Sequence, residues 1–430
     1  MSPSTGAGRL RQNAIYRAGA RGRRPSVPTD ADRLERSARR AMSARAWAYV
    51  AGGAGQGATM RHNRSAFDRW RIVPRMLHGV TSRDLRTSVL GTPLPAPLLL
   101  APIGAAALVA PHSDVAIARG ASAAGTPYVL SSQGCDPMED TARAMGDVPF
   151  WYQLYWSVDD DLVDSMIRRA QDCGARALVV TLDTTMLGWR TQDLDLGSLP
   201  FARGEGIAQY TSDPRFAELV SARLGQTGPE STAQAPTGPI TIGAIKTKLS
   251  MSRNHPGRTW ANLRSPVPRA SVEAFLELYS NPGLCWDHLA TLNRRTTLPI
   301  LLKGILHPDD ARRALDLGVD GLIVSNHGGR QVDRSIAALD ALIQVRRAVG
   351  PGPVVLMDSG IRTGADVFVA LALGADACLL GRPHLYGLAL AGPDGVRQVI
   401  ENVVAELELT MGLVGVPDIG AITAELLAVA

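Results

Sequence analysis

Eight short runs of apolar residues divide the chain, and each run ends in glycine or a polar side chain. The runs are continuous rather than alternating, which is typical of strands covered on both faces of a parallel sheet. The predicted strands lie within residues 94–104, 126–133, 149–156, 177–183, 298–305, 321–328, 353–360 and 376–382. Amphipathic segments between them predict helices within residues 113–125, 160–174, 307–318 and 362–374.

This alternation of strand and helix predicts the fold class. Eight strands separated by helical segments favour an α/β fold of the (β/α)8 type, a closed parallel TIM barrel. A doubly wound open sheet is the alternative, but no GxGxxG motif follows a predicted strand. The rhythm breaks after the fourth strand, where residues 197–296 are rich in Gly, Pro, Ser and Thr. We expect this insertion to be a lid at the catalytic face. The alternative for its central part, residues 225–239, is simple disorder.

Charge separates the N-terminus from the rest of the chain. Residues 1–45 carry 11 Arg against three acids (Asp30, Asp32 and Glu35), a local net charge of +8, whereas all 430 residues sum to +5. We therefore predict a solvated basic N-terminal extension at 1–45 and a barrel domain at 46–430. The remainder has a net charge of −3, which argues against nucleic-acid binding.

Two further absences in the sequence narrow the class of protein. No run of 18 apolar residues exists, so we expect no membrane span. The four cysteines are far apart and form no CxxC pair, which predicts a reduced, cytoplasmic setting and no metal site.

Polar side chains follow the predicted strands, where barrel enzymes hold their active sites. His327 is the candidate base because the ordinary pKa of histidine suits proton transfer near neutral pH, and Asp183 would orient it. Arg190 and Arg330 are candidates for gripping a carboxylate, although surface arginine is the simpler interpretation. Lys303 ends an apolar run, so it would either form a Schiff base or offer positive charge to a cofactor.

The loops after the last two predicted strands are rich in glycine. They read DSGIRTG at 358–364 and LGRPHLYG at 380–387. Gly360 and Gly381 would let backbone N–H groups approach an anion, while Arg362 and Arg382 would add guanidinium donors. These loops therefore predict a phosphate site, although such glycines also occur in simple tight turns.

Several of these motifs together resemble one family. The segments SNHGGRQ (325–331), LLKGI (301–305), YQLY (152–155), TLDT (181–184) and the pair DSGIRTGADV with LGRP resemble the FMN-dependent α-hydroxy acid oxidases and dehydrogenases, from about Ala46 to Gly412. Segments RQNAIY (11–16) and GWRTQDL (188–194) are most similar to the lactate 2-monooxygenase branch. The resemblance implies oxidation of a small, lactate-like L-2-hydroxy acid by FMN, with molecular oxygen as acceptor and with coupled decarboxylation in that branch. The alternatives are a dehydrogenase that reduces a quinone or protein, and an FMN-binding barrel without turnover.

The resemblance also implies a role for each candidate residue. FMN would contact Pro102, Ile103, Gly104, Ser131, Gln153, Thr181, Lys303, Ser325, Asp358, Gly360, Arg362, Gly381 and Arg382. The hydroxy acid would bind to Tyr49, Tyr155, Arg190, His327 and Arg330, with Asp183, Tyr155, Arg190 and Lys303 assisting His327 in catalysis. Two positions depart from the family pattern, since Gly104 replaces the alanine common in oxidases and Gln133 stands where several relatives carry tryptophan. Relatives are usually homotetramers, so a homotetramer is expected.

Overall fold

The structure, a computed structural model, describes residues 6–226 and 241–430 of the chain. Its strands are β1 (Trp70–Ile72), β2 (Thr87–Val89), β3 (Thr92–Leu94), β4 (Leu98–Leu100), β5 (Tyr128–Ser131), β6 (Phe150–Leu154), β7 (Leu178–Thr181), β8 (Ile300–Ile305), β9 (Gly321–Val324), β10 (Val354–Met357), β11 (Ala377–Leu380) and β12 (Leu427–Val429). Strands β4 to β11 are the eight predicted ones, and they close into a parallel barrel in the order β10-β11-β4-β5-β6-β7-β8-β9. The predicted TIM barrel is confirmed, and the open-sheet alternative is wrong.

The continuous apolar runs have a simple explanation in the packing. Alternate residues of each strand point to opposite faces, and here one face fills the barrel while the other meets the helices. Leu99, Val129 and Trp151 belong to the cluster inside the barrel, whereas Leu98 and Leu130 belong to the larger cluster between barrel and helices. Both faces are buried against apolar side chains, so neither accommodates the polar residues of an alternating pattern.

Helices surround the barrel and connect its strands. They are α1 (Ala7–Gly19), α2 (Ala31–Ala41), α3 (Ala44–Ala51), α4 (Ala58–Ser65), α5 (Ser113–Ala123), α6 (Met138–Met145), α7 (Asp160–Asp172), α8 (Thr191–Asp195), α9 (Ala208–Thr211), α10 (Pro214–Gln226), α11 (Ile242–Asn254), α12 (Thr259–Arg264), α13 (Val267–Leu278), α14 (Trp286–Leu289), α15 (Leu292–Arg295), α16 (Pro308–Asp316), α17 (Ala338–Val349), α18 (Gly364–Ala372) and α19 (Arg382–Val414). The four helices predicted from amphipathic segments are α5, α7, α16 and α18. None of the helices in the described ranges is long and apolar enough to cross a membrane.

The basic N-terminal segment differs from the solvated extension that its composition suggested. Helices α1 and α2 both pack against α19, and Val27 and Ala38 are fully buried. The backbone N–H of Gly8 donates to Glu408 Oε2 at 3.1 Å. The stretch at 19–26, which contains RGRRP, is exposed throughout. A few small apolar residues are enough to dock a helix whose other faces carry arginine. The predicted division at residue 45 remains a prediction.

The described parts of the insertion after β7 consist of short helices joined by turns and loops. Its core is aromatic, with Phe201, Tyr210, Phe275 and Tyr279 packed at ring-centroid distances of 4.7 to 6.0 Å. Gln209 Nε2 donates to the carbonyl of Asp136 at 2.7 Å, which ties the insertion to the loop after β5. The central segment for which disorder was an alternative lies mostly outside the described residues, at 227–240. The role of the insertion as a lid remains a prediction.

Candidate active site

The carboxyl ends of the barrel strands surround a cavity that is partly open to solvent. Most of the predicted site residues line it, namely Tyr49, Pro102, Ile103, Gly104, Tyr155, Arg190, Lys303, His327, Arg330, Asp358, Gly360, Arg362, Gly381 and Arg382. The remaining ones lie at the ends of the same strands without lining the cavity; they are Ser131, Gln153, Thr181, Asp183 and Ser325. The closed barrel therefore brings together side chains from residue 49 to residue 382.

His327 and Asp183 form a hydrogen-bonded pair at this cavity. His327 Nδ1 lies 2.7 Å from Asp183 Oδ1, and the Thr184 hydroxyl donates to the same carboxylate at 2.9 Å. Burial lowers the pKa of His327 by more than the Asp183 charge raises it. Burial alone would raise the pKa of Asp183, but His327 and Lys303 outweigh it and lower that pKa to about 2. The pair is therefore a neutral imidazole held by a carboxylate, and Nε2 is the ring nitrogen left to accept a proton.

Lys303 lies in the barrel mouth as a buried cation. Its Nζ donates to Ser325 Oγ at 2.8 Å and lies 3.0 Å from Asp358 Oδ2. Burial would lower the pKa of Lys303, but the carboxylates of Asp358 and Asp183 outweigh burial and raise it. A protonated amine is not a nucleophile, so the geometry disfavours the Schiff-base alternative and leaves Lys303 as a fixed positive charge.

Two neighbouring arginines, the buried Arg190 and the half-buried Arg330, line the same cavity as the imidazole. The guanidinium of Arg330 lies 4.7 Å from the centre of the Tyr49 ring, and Arg190 Nη2 donates to Gln331 Oε1 at 2.9 Å. Burial, and then the neighbouring Arg190 charge, lower the pKa of Arg330 to about 9. Arg330 Nη2 has no hydrogen-bond partner among the described residues. Two adjacent cations with a free buried donor form a site for a carboxylate.

The glycine-rich loops occupy the other end of the cavity. Gly360 has φ of 110°, and a Cβ there would lie 2.6 Å from the carbonyl oxygen of Asn63. At Gly381 a Cβ would meet no atom within 4 Å, so this backbone faces open space. Arg362 lines the cavity beside them. We expected the guanidinium donors of Arg382 to be free for phosphate, but its three nitrogens already donate to backbone carbonyls at 2.9 to 3.0 Å. It supplies charge rather than an unoccupied bidentate donor.

Two buried polar atoms at the carboxyl ends of the barrel strands lack a hydrogen-bond partner among the described residues. Gln153 Nε2 and Thr181 Oγ1 are buried and have no hydrogen-bond partner within the described part of the chain. Ser131 Oγ donates to Gln153 Oε1 at 3.1 Å, which fixes the amide and leaves its nitrogen free. Buried polar groups are nearly always paired in a complete structure. These two atoms therefore suit a cofactor whose ring carries nitrogen and oxygen atoms at its edge.

Several positioning residues were not predicted from the sequence. Gln331 donates to the carbonyl of Asp183 at 2.8 Å while accepting from Arg190, so it links the two halves of the site. Ser359 Oγ donates to Asp358 at 2.7 Å. Both lie inside or beside motifs that the sequence showed. Asn63 forms a reciprocal side-chain pair with Asn326 at 2.7 and 2.8 Å, and no local signal marked it because 263 positions separate the two residues.

Unpartnered polar atoms at the strand ends, together with glycine-rich loops and the buried cation of Lys303, fit the class of flavin-dependent oxidoreductases. Residues 38–429 match the family model described as FMN-dependent dehydrogenase. The chain belongs to this family, its cofactor is FMN, and its activity is the oxidation of an α-hydroxy acid.

Relatives share nearly the whole chain. An FMN-dependent alpha-hydroxy acid dehydrogenase of Penicillium citrinum is 39% identical over 94% of this chain and 92% of its own length. An L-lactate oxidase of Lysinibacillus sphaericus is 38% identical over 90% of this chain and 89% of its own. The crystal structure of mandelate oxidase with (S)-4-hydroxymandelic acid superposes with a TM-score of 0.74 at 32% identity, covering 94% of this chain and 99% of that one.

Proposed function

We propose that this protein oxidises a small L-2-hydroxy acid to the 2-oxo acid and passes the electrons to molecular oxygen. The observation that carries the proposal is the free Nη2 donor of Arg330, buried beside Arg190 in the cavity that His327 lines. A substrate carboxylate would pair with both guanidinium groups. Its α-carbon would then lie between the carboxylate site and the imidazole, which is the arrangement that removal of a proton requires.

The protein side chains divide the chemistry among them. Tyr49 and Tyr155 line the cavity, and burial raises the pKa of both phenols, so each stays protonated and donates to the bound acid. His327 Nε2 accepts one proton while Asp183 holds Nδ1 and stabilises the imidazolium. The substrate C–H and O–H bonds break and a C=O bond forms. Bound FMN would supply the acceptor for the two electrons and the second proton. Lys303 keeps a positive charge in the barrel mouth, and this charge would stabilise the negative charge that develops there during electron transfer.

The acceptor and the product complete the proposal. Oxygen would take up the two electrons and two protons as hydrogen peroxide. In the lactate 2-monooxygenase branch, peroxide held with pyruvate yields acetate, carbon dioxide and water. These three products contain all the atoms of lactate and oxygen. Support for this branch comes from the segments at 11–16 and 188–194 and from Gly104. A homotetramer and a cytoplasmic location also remain predictions.

The test incubates the purified FMN-loaded protein with L-lactate in air and measures oxygen uptake, pyruvate, peroxide and acetate. We expect oxygen uptake with a 2-oxo acid or its decarboxylated product. Acetate without free peroxide identifies a monooxygenase, whereas peroxide with pyruvate and no acetate identifies an oxidase. Rapid dye reduction without oxygen uptake would indicate that the electron acceptor is a quinone or a protein rather than oxygen. If no hydroxy acid bleached the flavin under anaerobic conditions, the protein would be an FMN binder without turnover.

A further inference from the structure

We propose that Gln133 binds a neutral hydrogen-bonding group on the substrate side chain. The natural substrate is then a 2-hydroxy acid with a hydroxyl group on the next carbon, a 2,3-dihydroxy acid, rather than one with an alkyl side chain. This inference rests on the proposed function, because it concerns the same cavity and the same reaction. It goes further by naming what the substrate carries beyond its carboxylate and α-hydroxyl.

The backbone of Gln133 is fixed from three sides. Its N–H donates to Ser131 Oγ at 3.1 Å, and its carbonyl accepts from the N–H of Ala105 at 2.9 Å. Gly206 of the insertion packs on the same carbonyl, since a Cβ at Gly206 would lie 3.0 Å from it. The loops after β4 and β5 and the helical insertion therefore meet at this residue. Its position in the cavity wall is set by contacts that do not involve its side chain.

The side chain of Gln133 lies in the wall of the cavity. The residue is only 6% exposed and lines the same space as His327 and Tyr155. A Cβ at Gly104 would lie 2.6 Å from the Cβ of Gln133 and 3.2 Å from its Oε1. Glutamine at 133 thus occupies room that a methyl group at 104 would take. The two positions form one surface, and the absence of a side chain at Gly104 leaves room for the amide of Gln133.

No hydrogen bond to the amide of Gln133 is found among the described residues. Among the described residues, neither polar atom of this amide is fully buried without a partner, so the amide faces the cavity and is available to a ligand group or water. The amide both donates and accepts, which matches a hydroxyl group. A second carboxylate would need a further cation, and Arg190 and Arg330 already serve the first one. A site built around a hydrogen bond discriminates strongly against the analogue that lacks the group.

The test compares L-2,3-dihydroxypropanoate with L-2-hydroxybutanoate, which differ only by a hydroxyl in place of a methyl group. With FMN-loaded wild-type protein we expect kcat/KM to be about tenfold or more higher for the dihydroxy acid, the range that one hydrogen bond supports. In Gln133→Met, which keeps the length of the side chain without its polar atoms, this preference should disappear or reverse. Gln133→Glu serves as a second variant if the methionine variant folds poorly.

A binding measurement separates recognition from turnover. Non-reducing 2-oxo acids, 3-hydroxypyruvate and 2-oxobutanoate, are titrated into the oxidised holoenzyme and followed by the change in flavin absorbance. The hydroxyl-bearing acid should bind more tightly to the wild type, and the difference should vanish in Gln133→Met. Equal or inverted preference in the wild type, or a preference unchanged by either variant, would overturn the inference while leaving the proposed function intact. Failure of both hydroxy acids and of lactate to bleach the flavin would instead reject the proposed function.

Discussion

The 2.7 Å contact between His327 Nδ1 and Asp183 Oδ1 determines which ring nitrogen can take a proton. With Nδ1 engaged, the lone pair of Nε2 is available as a base, and the low pKa of Asp183 keeps a negative charge behind the ring. In the proposed reaction Asp183 would orient the ring and supply negative charge rather than take up the proton. This arrangement gives residue-level predictions that depend on chemistry rather than on folding.

Replacing the base should separate cofactor binding from turnover. We expect His327→Gln to retain FMN and to reduce it with a hydroxy acid about 10²–10⁴-fold more slowly, since that is the usual contribution of a general base. Stopped-flow absorbance under anaerobic conditions measures the rate, and the flavin spectrum measures retention. His307→Gln is the matched control, because His307 is exposed on the N-terminal side of α16. Near-normal reduction by His327→Gln would remove His327 from its role.

The pH profile follows from the sign of the histidine shift. The base must be neutral, and its pKa in the folded protein lies below the ordinary value of about 6.5. We expect kcat/KM to fall only below pH 6.5 as His327 is protonated, and to be flat from there towards pH 8. In Asp183→Asn the carboxylate that raises this pKa is gone, so the acid limb should move to still lower pH while the plateau falls. A limb that moves upward in this variant would contradict the assignment.

At the scale of elements, the sequence predicted the strands well because the signal for them is local. Each apolar run is bounded by a turn, and burial on both faces leaves no other pattern to compete with it. The insertion was harder, since α8, α9, α14 and α15 have only four or five residues each. Helix α9 is held by Tyr210, which packs on Phe275, and α8 lies against α3. Such short helices depend on tertiary contacts rather than on an amphipathic pattern.

The loops after β10 and β11 allow a test of the phosphate end. Arg362→Ala removes one cation from the cavity, and we expect the dissociation constant of FMN to rise by about tenfold or more, because a charge-assisted hydrogen bond is lost. The recovery of free-flavin fluorescence on dilution measures this constant. Arg312→Ala on the exposed face of α16 is the control and should leave FMN binding unchanged. Equal flavin retention in both variants would count against the phosphate assignment.

At the scale of the whole molecule, the chain returns repeatedly to one cavity. Contacts such as Gln331 with Asp183, or Asn63 with Asn326, join residues that are 148 and 263 positions apart. The sequence showed most of the side chains of the site because strand ends carry them. It did not show which of them touch, because that depends on closure of the barrel. The docking of α1 and α2 was hidden for a related reason: their arginine content is visible, while their buried face is only a few residues wide.

Cofactor binding should therefore stabilise the molecule as a whole. A ligand that binds only the folded state adds about 2.7 kcal/mol at one hundred times its dissociation constant. We expect the unfolding temperature of the apoprotein to rise steadily with the logarithm of FMN concentration, and that of Arg362→Ala to require more FMN for the same rise. Differential scanning fluorimetry with an extrinsic dye measures both. An unfolding temperature independent of FMN would show that FMN does not bind the folded state preferentially and would contradict this prediction.

The backbone of His327 has φ of 57°, in the left-handed region where a side chain is disfavoured by roughly 1–2 kcal/mol. The imidazole is therefore held in place against the preference of its own peptide unit, and glycine would be more comfortable there. Glycine would relieve this strain, but it would also remove the imidazole that hydrogen-bonds the buried carboxylate of Asp183. A variant library screened for heat resistance therefore has to keep His327 unchanged, because relief of backbone strain there would come with loss of that contact and of the proposed base.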